Sequence, residues 1–174
     1  MKSPLVIWIA LFLLTVFIVF QAFTLDQVRS ELQTLQSSAA ADVPHAELAE
    51  YMGSMQQFMN KLWFSGSAGN TELAKFYHHE VEEVLEELIE ENIEDEGHAV
   101  SELARTMLLP AVEELDTAIA SADSATFRGA YVGVVNACNA CHQVTEHAMI
   151  AIKLPTLPFI DNQAFAKLPA GAAL

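Results

Sequence analysis

The sequence predicts an all-α protein: an antiparallel four-helix bundle preceded by an N-terminal transmembrane helix. Three observations predict it. Residues 4–25 form an almost unbroken apolar run, interrupted only by Thr15, Gln21 and Thr24. From residue 44 onward apolar residues recur three and four apart, the period of a helix with one buried face. Breaks rich in Gly, Ser and Asn separate these segments, as short turns between antiparallel neighbours require. An irregular helical array is the alternative that length alone permits.

The chain of 174 residues divides into four stretches. Residues 1–25 are expected to be a membrane anchor, 26–43 a helical stalk, 44–153 the bundle domain and 154–174 an extended tail. The apolar run is near the roughly 20 residues that span a bilayer. A signal-peptide core is shorter and ends at a small-residue site, so an uncleaved anchor is favoured over cleavage near Ala22. In the stalk, Leu25, Val28, Leu32 and Leu35 are spaced as a heptad seam. It covers under two heptads, so a linker helix is expected, with a weak homodimer as the alternative.

Within the bundle, helix A is expected from residue 43 or 44 to 64, opened by Asp42 and Pro44. Its stripe is Leu48, Met52, Met55, Met59 and Leu62. Helix B follows over 71–95, burying Phe76 or Tyr77, Val81, Val84, Leu88 and Ile89 and ending at Gly97. Helix C covers 98–121 with the stripe Leu103, Met107, Ala111, Leu115 and Ala118, and Pro110 predicts a kink or a break inside it. Helix D runs from 123 or 124 to 153 and buries Phe127, Tyr131, Val134, Cys138, Cys141 and Thr145. No strand pattern is legible. Pro155 stops the last helix, and Phe159 and Phe165 are placed to pin the tail.

The net charge is −15, with ten acidic residues between Glu80 and Glu96. Such a surface repels nucleic acid and anionic lipid and favours a basic partner, with attraction that weakens in salt. The plainer reading is a solvated helix face, which is compatible with docking.

The chain has two cysteines, and both fall in Cys138-Asn139-Ala140-Cys141-His142. This is the C-x-x-C-H pattern of covalent haem attachment. On a helix, positions 138, 141 and 142 share a face. Two thiols therefore reach one edge of a macrocycle while the imidazole lies under the iron. The rivals are weaker. A closed zinc site needs two more ligands, a thioredoxin-like pair expects a strand-helix setting, and a structural disulfide or a chance occurrence is the plainest alternative.

A helical chain with this motif near its C-terminus resembles the class II c-type cytochromes, meaning cytochrome c′ and its low-spin relatives. Gly53-Ser54-Met55-Gln56 followed by Trp63 is similar to the family's first-helix segment. The resemblance spans residues 44–152. It implies one haem c inside a four-helix bundle, attached through Cys138 and Cys141, with His142 as axial ligand. Gln143 and Glu146 stand where the family often carries a basic residue, and the anchor and long tail are unusual for it.

A methionine opposite the histidine makes a six-coordinate iron suited to electron transfer, and an open position makes a gas site. Met52, Met55 and Met59 are the candidate sixth ligands, ranked in that order by their height along an antiparallel pair of helices A and D. The remaining histidines, His45, His78, His79, His98 and His147, are expected at the surface, with His78 or His79 a minor alternative for the sixth position. Trp63 and Phe64 are expected in the core or packed on the haem.

These readings converge on a non-enzymatic electron carrier. It would be single-pass in a bacterial inner membrane with its body on the periplasmic side, exchanging electrons with redox partners through a basic patch of theirs. The alternatives are a gas-binding protein of the cytochrome c′ type and an accessory haem subunit of a larger membrane complex. No Gly-rich phosphate loop or nucleophile motif supports an enzyme.

Overall fold

The computed structural model describes residues 4–159 and 162–169, without the side chains of 4–7, 9, 10, 12 and 34–47. The chain is mostly helical, with α1 (Pro4–Ser67), α2 (Thr71–Glu90), β1 (Glu94–Asp95), β2 (His98–Ala99), α3 (Val100–Leu103), a π-helical turn (Ala104–Leu108), α4 (Leu109–Ala120) and α5 (Ser124–Val144). It divides into two compact units, Met1–Val43 and Pro44–Leu174.

The first unit is helical, as part of α1. Its described apolar side chains, among them Trp8, Leu13, Phe17, Val19 and Phe23, are exposed, as are Leu25, Val28 and Leu32 of the heptad seam. Leu35 lies outside the described side chains. Among the described residues no helix is long and apolar enough to cross a membrane. The expected span over 1–25 falls partly on residues outside that description.

In the second unit, α1, α2, α4 and α5 share one core. Leu62, Leu85, Leu88, Val112 and Leu115 are its most deeply buried members. Contacts run in opposite order along paired helices. Trp63 meets Phe127 and Tyr131, while Met52 and Met55 share a cavity with Cys138 and His142. Likewise His78 bonds the Val112 carbonyl, while Leu88 is tied to Ser101. Fully burying a Leu or Val side chain stabilises by about 1.5–3 kcal/mol, so this core dominates the fold.

The helix ends differ from expectation for local reasons. Asp42 and Pro44, expected to open helix A, lie inside α1, which runs on to Ser67. There Gly69 takes φ +69, its N–H bonds Gly66 and the Asn70 N–H bonds Ser65, a left-handed helix stop. Asn70 then caps α2 by accepting from the Leu73 N–H at 3.3 Å. Helix B ends at Glu90 rather than 95, since Asn92 enters the left-handed region at φ 50. Glu96 and Gly97 both take positive φ, and this two-residue turn closes a hairpin pairing Glu94 with Ala99 and Asp95 with His98. Strands this short carry no alternation to read.

Helix C is divided. Pro110 opens α4, and a π turn precedes it in which the Leu109 N–H bonds the Ala104 carbonyl. The helix is interrupted there as expected, since proline removes a donor and crowds the preceding turn. The buried row is Val100, Ala104, Leu108, Val112, Leu115 and Ile119. The predicted Leu103, Met107 and Ala111 stand one position off it, half-buried. Both rows are apolar, so packing rather than composition chose between them. Helix D ends at Val144, not 153. Glu146 takes φ 62, its N–H bonds Gln143 and the His147 N–H bonds His142, another left-handed stop in a residue with a side chain.

After that stop the tail is strapped back by side-chain amides. Asn139 donates to the Ile152 carbonyl at 2.9 Å and accepts from its N–H at 2.7 Å. Asn60 bonds the Leu157 carbonyl and the Phe159 N–H, and Asn70 bonds the Phe165 carbonyl. Tyr77 bonds Gln163 at 2.6 Å. The Phe165 ring packs tilted against that of Phe64, with centroids 5.5 Å apart. Phe159, expected to pin the tail, is 68% exposed, and its backbone N–H is what holds it.

Candidate functional site

The C-x-x-C-H residues lie in the last two turns of α5, capped at its start by Asp123. That carboxylate accepts from the Thr126 N–H at 2.7 Å, which holds it below the usual carboxylate range. Phe127, Tyr131, Val134 and Cys141 are buried on the face expected for them, with Cys138 packed half-buried against the same core. The face is legible because its spacing of three and four is the helical repeat.

A cavity of about 590 Å³ lies between this face, α1 and the tail. From α1 it is lined by Met52, Met55 and Met59, from α5 by Tyr131, Cys138 and His142, and by tail residues 150–153 and 155–157. The volume is in the range of ligand and cofactor sites. Gly53 also lines it, and a Cβ there would stand in open space. A smaller cavity of about 310 Å³ between the end of α1 and the start of α5 contains none of the predicted site residues.

Within the larger cavity the imidazole of His142 has a fixed partner. Its Nδ1 lies 2.6 Å from the Ile150 carbonyl. A carbonyl can only accept, so Nδ1 carries the proton and a neutral ring keeps a lone pair on Nε2. The thiols are free. Burial, and then the neighbouring Cys141, push the Cys138 thiol up to about 11. Burial raises Cys141 as well. Both are therefore protonated near neutral pH, the opposite of activated redox thiols. Cys141 is buried but absent from the lining.

Tyr131 donates to the Met59 carbonyl at 2.8 Å, and burial keeps its hydroxyl protonated. Its ring lies 4.8 Å from that of Trp63. The Trp63 ring also lies 6.2 Å from that of Phe127, and Met52, Met55 and Met59 of the same helix line the cavity together with His142. The helix ends used to rank Met52 first lie elsewhere in the structure, since α1 runs through Pro44 and α5 ends at Val144.

The structure brings Cys138, His142, Met52, Met55 and Met59 around one space, and leaves other candidates outside it. His78, expected at the surface, is 2% exposed between α2 and α4. Its Nε2 bonds the Val112 carbonyl at 2.8 Å, and Nδ1 faces Glu82 and Asp116. It is a core residue and is not among those that line the cavity. His79 is 65% exposed beside Glu83. His98 and His147 are half-buried and outside the lining. The His45 side chain lies outside the described residues. Trp63 is buried under Arg128, 5.0 Å above its ring, and is core.

Sequence reasoning missed the tail as a cavity wall and Asn139 as its clamp. Asn139 occupies a variable position of the motif, and its partner is brought near only by the chain reversal at Glu146. Among the described residues no three His, Cys, Asp or Glu side chains gather to hold a metal ion. A haem iron asks for no such cluster, since the protein supplies only its axial ligands. No family model, curated protein or solved structure matches this chain.

Proposed function

We propose that the chain is a membrane-anchored monohaem cytochrome of the class II type, carrying single electrons through an antiparallel four-helix bundle on the periplasmic face of a bacterial inner membrane. The observation that carries the reading is His142, which borders a cavity of about 590 Å³ with its Nδ1 held by a carbonyl and three methionines across the space. The donor set fits a haem c. Cys138 and Cys141 would form its two thioether links, Nε2 of His142 its axial bond, and Met52, then Met55, then Met59 its sixth bond. Attachment through Cys141 requires that side chain to turn toward the cavity.

When bound, the haem supplies a one-electron ferric–ferrous couple. The chain's own residues do the rest. Ile150, Ile152, Pro155 and Leu157 of the tail, with Val135 of α5, line the space with apolar surface, which limits water and sets the local dielectric. Tyr131 keeps α5 fixed against α1, and so fixes the distance between His142 and the methionines.

The exposed apolar side chains of residues 8–25 support the anchor, since a helix apolar on all sides is stable in lipid rather than water. The acidic surface supports a redox partner with a basic patch, and the exposed Leu25, Val28 and Leu32 leave a homodimer through the stalk as a second arrangement. Nucleic acid is no partner for a chain of charge −15. A gas-binding role is the alternative if no methionine closes the iron.

The test is direct. Chain produced in a host that attaches haem is denatured and extracted with acid acetone. Pigment that stays with the polypeptide supports covalent haem, and a colourless chain with two titratable thiols sinks the reading. Carbon monoxide added to the ferrous protein distinguishes the roles. A spectrum that does not change supports methionine closure and electron transfer, and rapid binding selects the gas site.

A further inference from the structure

We infer that Asn139 is a positioning residue for His142: its side-chain amide clamps the backbone of Ile152 and so holds the Ile150 carbonyl on Nδ1 of the imidazole. The inference rests on the haem reading and deepens it.

In the motif, Asn139 and Ala140 are the two spacer positions, and attachment chemistry asks nothing of them. The structure gives Asn139 a specific task. Its carboxamide makes both bonds a backbone amide makes in a ladder, donating to the Ile152 carbonyl at 2.9 Å and accepting from the Ile152 N–H at 2.7 Å. Two residues back along the same strap, the Ile150 carbonyl accepts from His142 Nδ1 at 2.6 Å. Asn139 and His142 are three apart on α5, so they share a face. The strap segment 150–152 is thus fixed at both ends by one turn of helix. A second bond, from the Ile150 N–H to the His147 carbonyl at 2.8 Å, sets the approach of the strap to the ring.

The consequence follows from the chemistry of an imidazole ligand. A carbonyl accepting the Nδ1 proton fixes the tautomer, orients the ring and makes Nε2 a stronger donor to a metal. A stronger donor favours the ferric state and lowers the reduction potential. The helix carrying the ligand therefore also carries, three residues earlier, the residue that tunes it through the strap.

The experiment compares the full chain, Asn139→Ala and Tyr77→Phe, all produced in a haem-attaching host. Tyr77→Phe removes the bond to Gln163 and loosens the same tail away from the cavity. A raised potential in Asn139→Ala only, by about tenfold in favour of the ferrous form or 59 mV for one electron, is the expected result. An unchanged potential in Asn139→Ala, or an equal rise in both variants, overturns the inference while leaving the haem reading intact. If the proteins are colourless the haem reading falls, and nitrogen-15 spectra of the His142 ring decide the rest. A ring protonated at Nδ1 in the parent and mixed in Asn139→Ala supports the positioning role. Identical spectra overturn it.

Discussion

Gly66 shows how a single missing side chain sets the joint between α1 and α5. A Cβ at this position would overlap the ring of Phe127, which is 3% exposed and cannot swing into solvent. Gly66→Ala should destabilise by about 1–3 kcal/mol, the usual range for overpacking, measured by urea denaturation; an unchanged midpoint would mean the ring moves freely. Asp123 acts at the other side of the joint. The Thr126 N–H and hydroxyl hold its carboxyl below the usual range. A depressed folded value gives stability that is present above the unfolded value of about 3.9 and disappears as pH falls through the folded one. Asp123→Ala should therefore lower Tm at pH 7, and that deficit should vanish in strong acid. A deficit independent of pH would show that the cap acts only through shape. The same scale explains His78. A histidine pair at the head of an acidic run looks solvated in sequence, and only the neighbouring α4 backbone reveals that His78 is buried.

At the scale of elements, the hairpin and the early helix ends are reversals of the chain. The α2 end, the hairpin and α3 are held together by Ser101, whose hydroxyl accepts from the Ile93 N–H at 2.7 Å and donates to the Leu88 carbonyl. Ser101 is 5% exposed. Ser101→Ala leaves a buried donor without its partner and should cost about 1–3 kcal/mol, with faster hydrogen exchange at Ile93. Normal exchange there would mean water replaces the hydroxyl. The stripes of α1 and α5 were readable because each repeats several times along its segment, whereas in helix C two adjacent rows are apolar and the buried one is the other. The stops at Asn92 and Glu146 were not readable, since both are left-handed positions occupied by residues with side chains. Glycine would have announced them. Pro110 did announce its break, because the effect of proline is local and does not depend on tertiary neighbours.

For the whole molecule, the charge of −15 makes salt the natural probe. Association with a basic redox protein should slow by at least about tenfold as salt rises from 0.01 to 1 M, where the screening length contracts from about 30 to 3 Å. Stopped-flow mixing measures it. A rate indifferent to salt would remove the acidic surface from docking and leave it a solubility device.

By itself the sequence determined the helical class, the buried stripes of α1 and α5, and the placement of Cys138 and His142 on one helical face. These properties depend on spacing along the chain, and a helix has a single repeat. Tertiary structure decided what the face looks upon. The chain reversal at Glu146 brings Ile150 to the imidazole and the strap over the cavity, and the packing of α1 on α5 puts Met52, Met55 and Met59 around the same space as His142. Such relations join residues far apart in sequence, and packing alone fixes them.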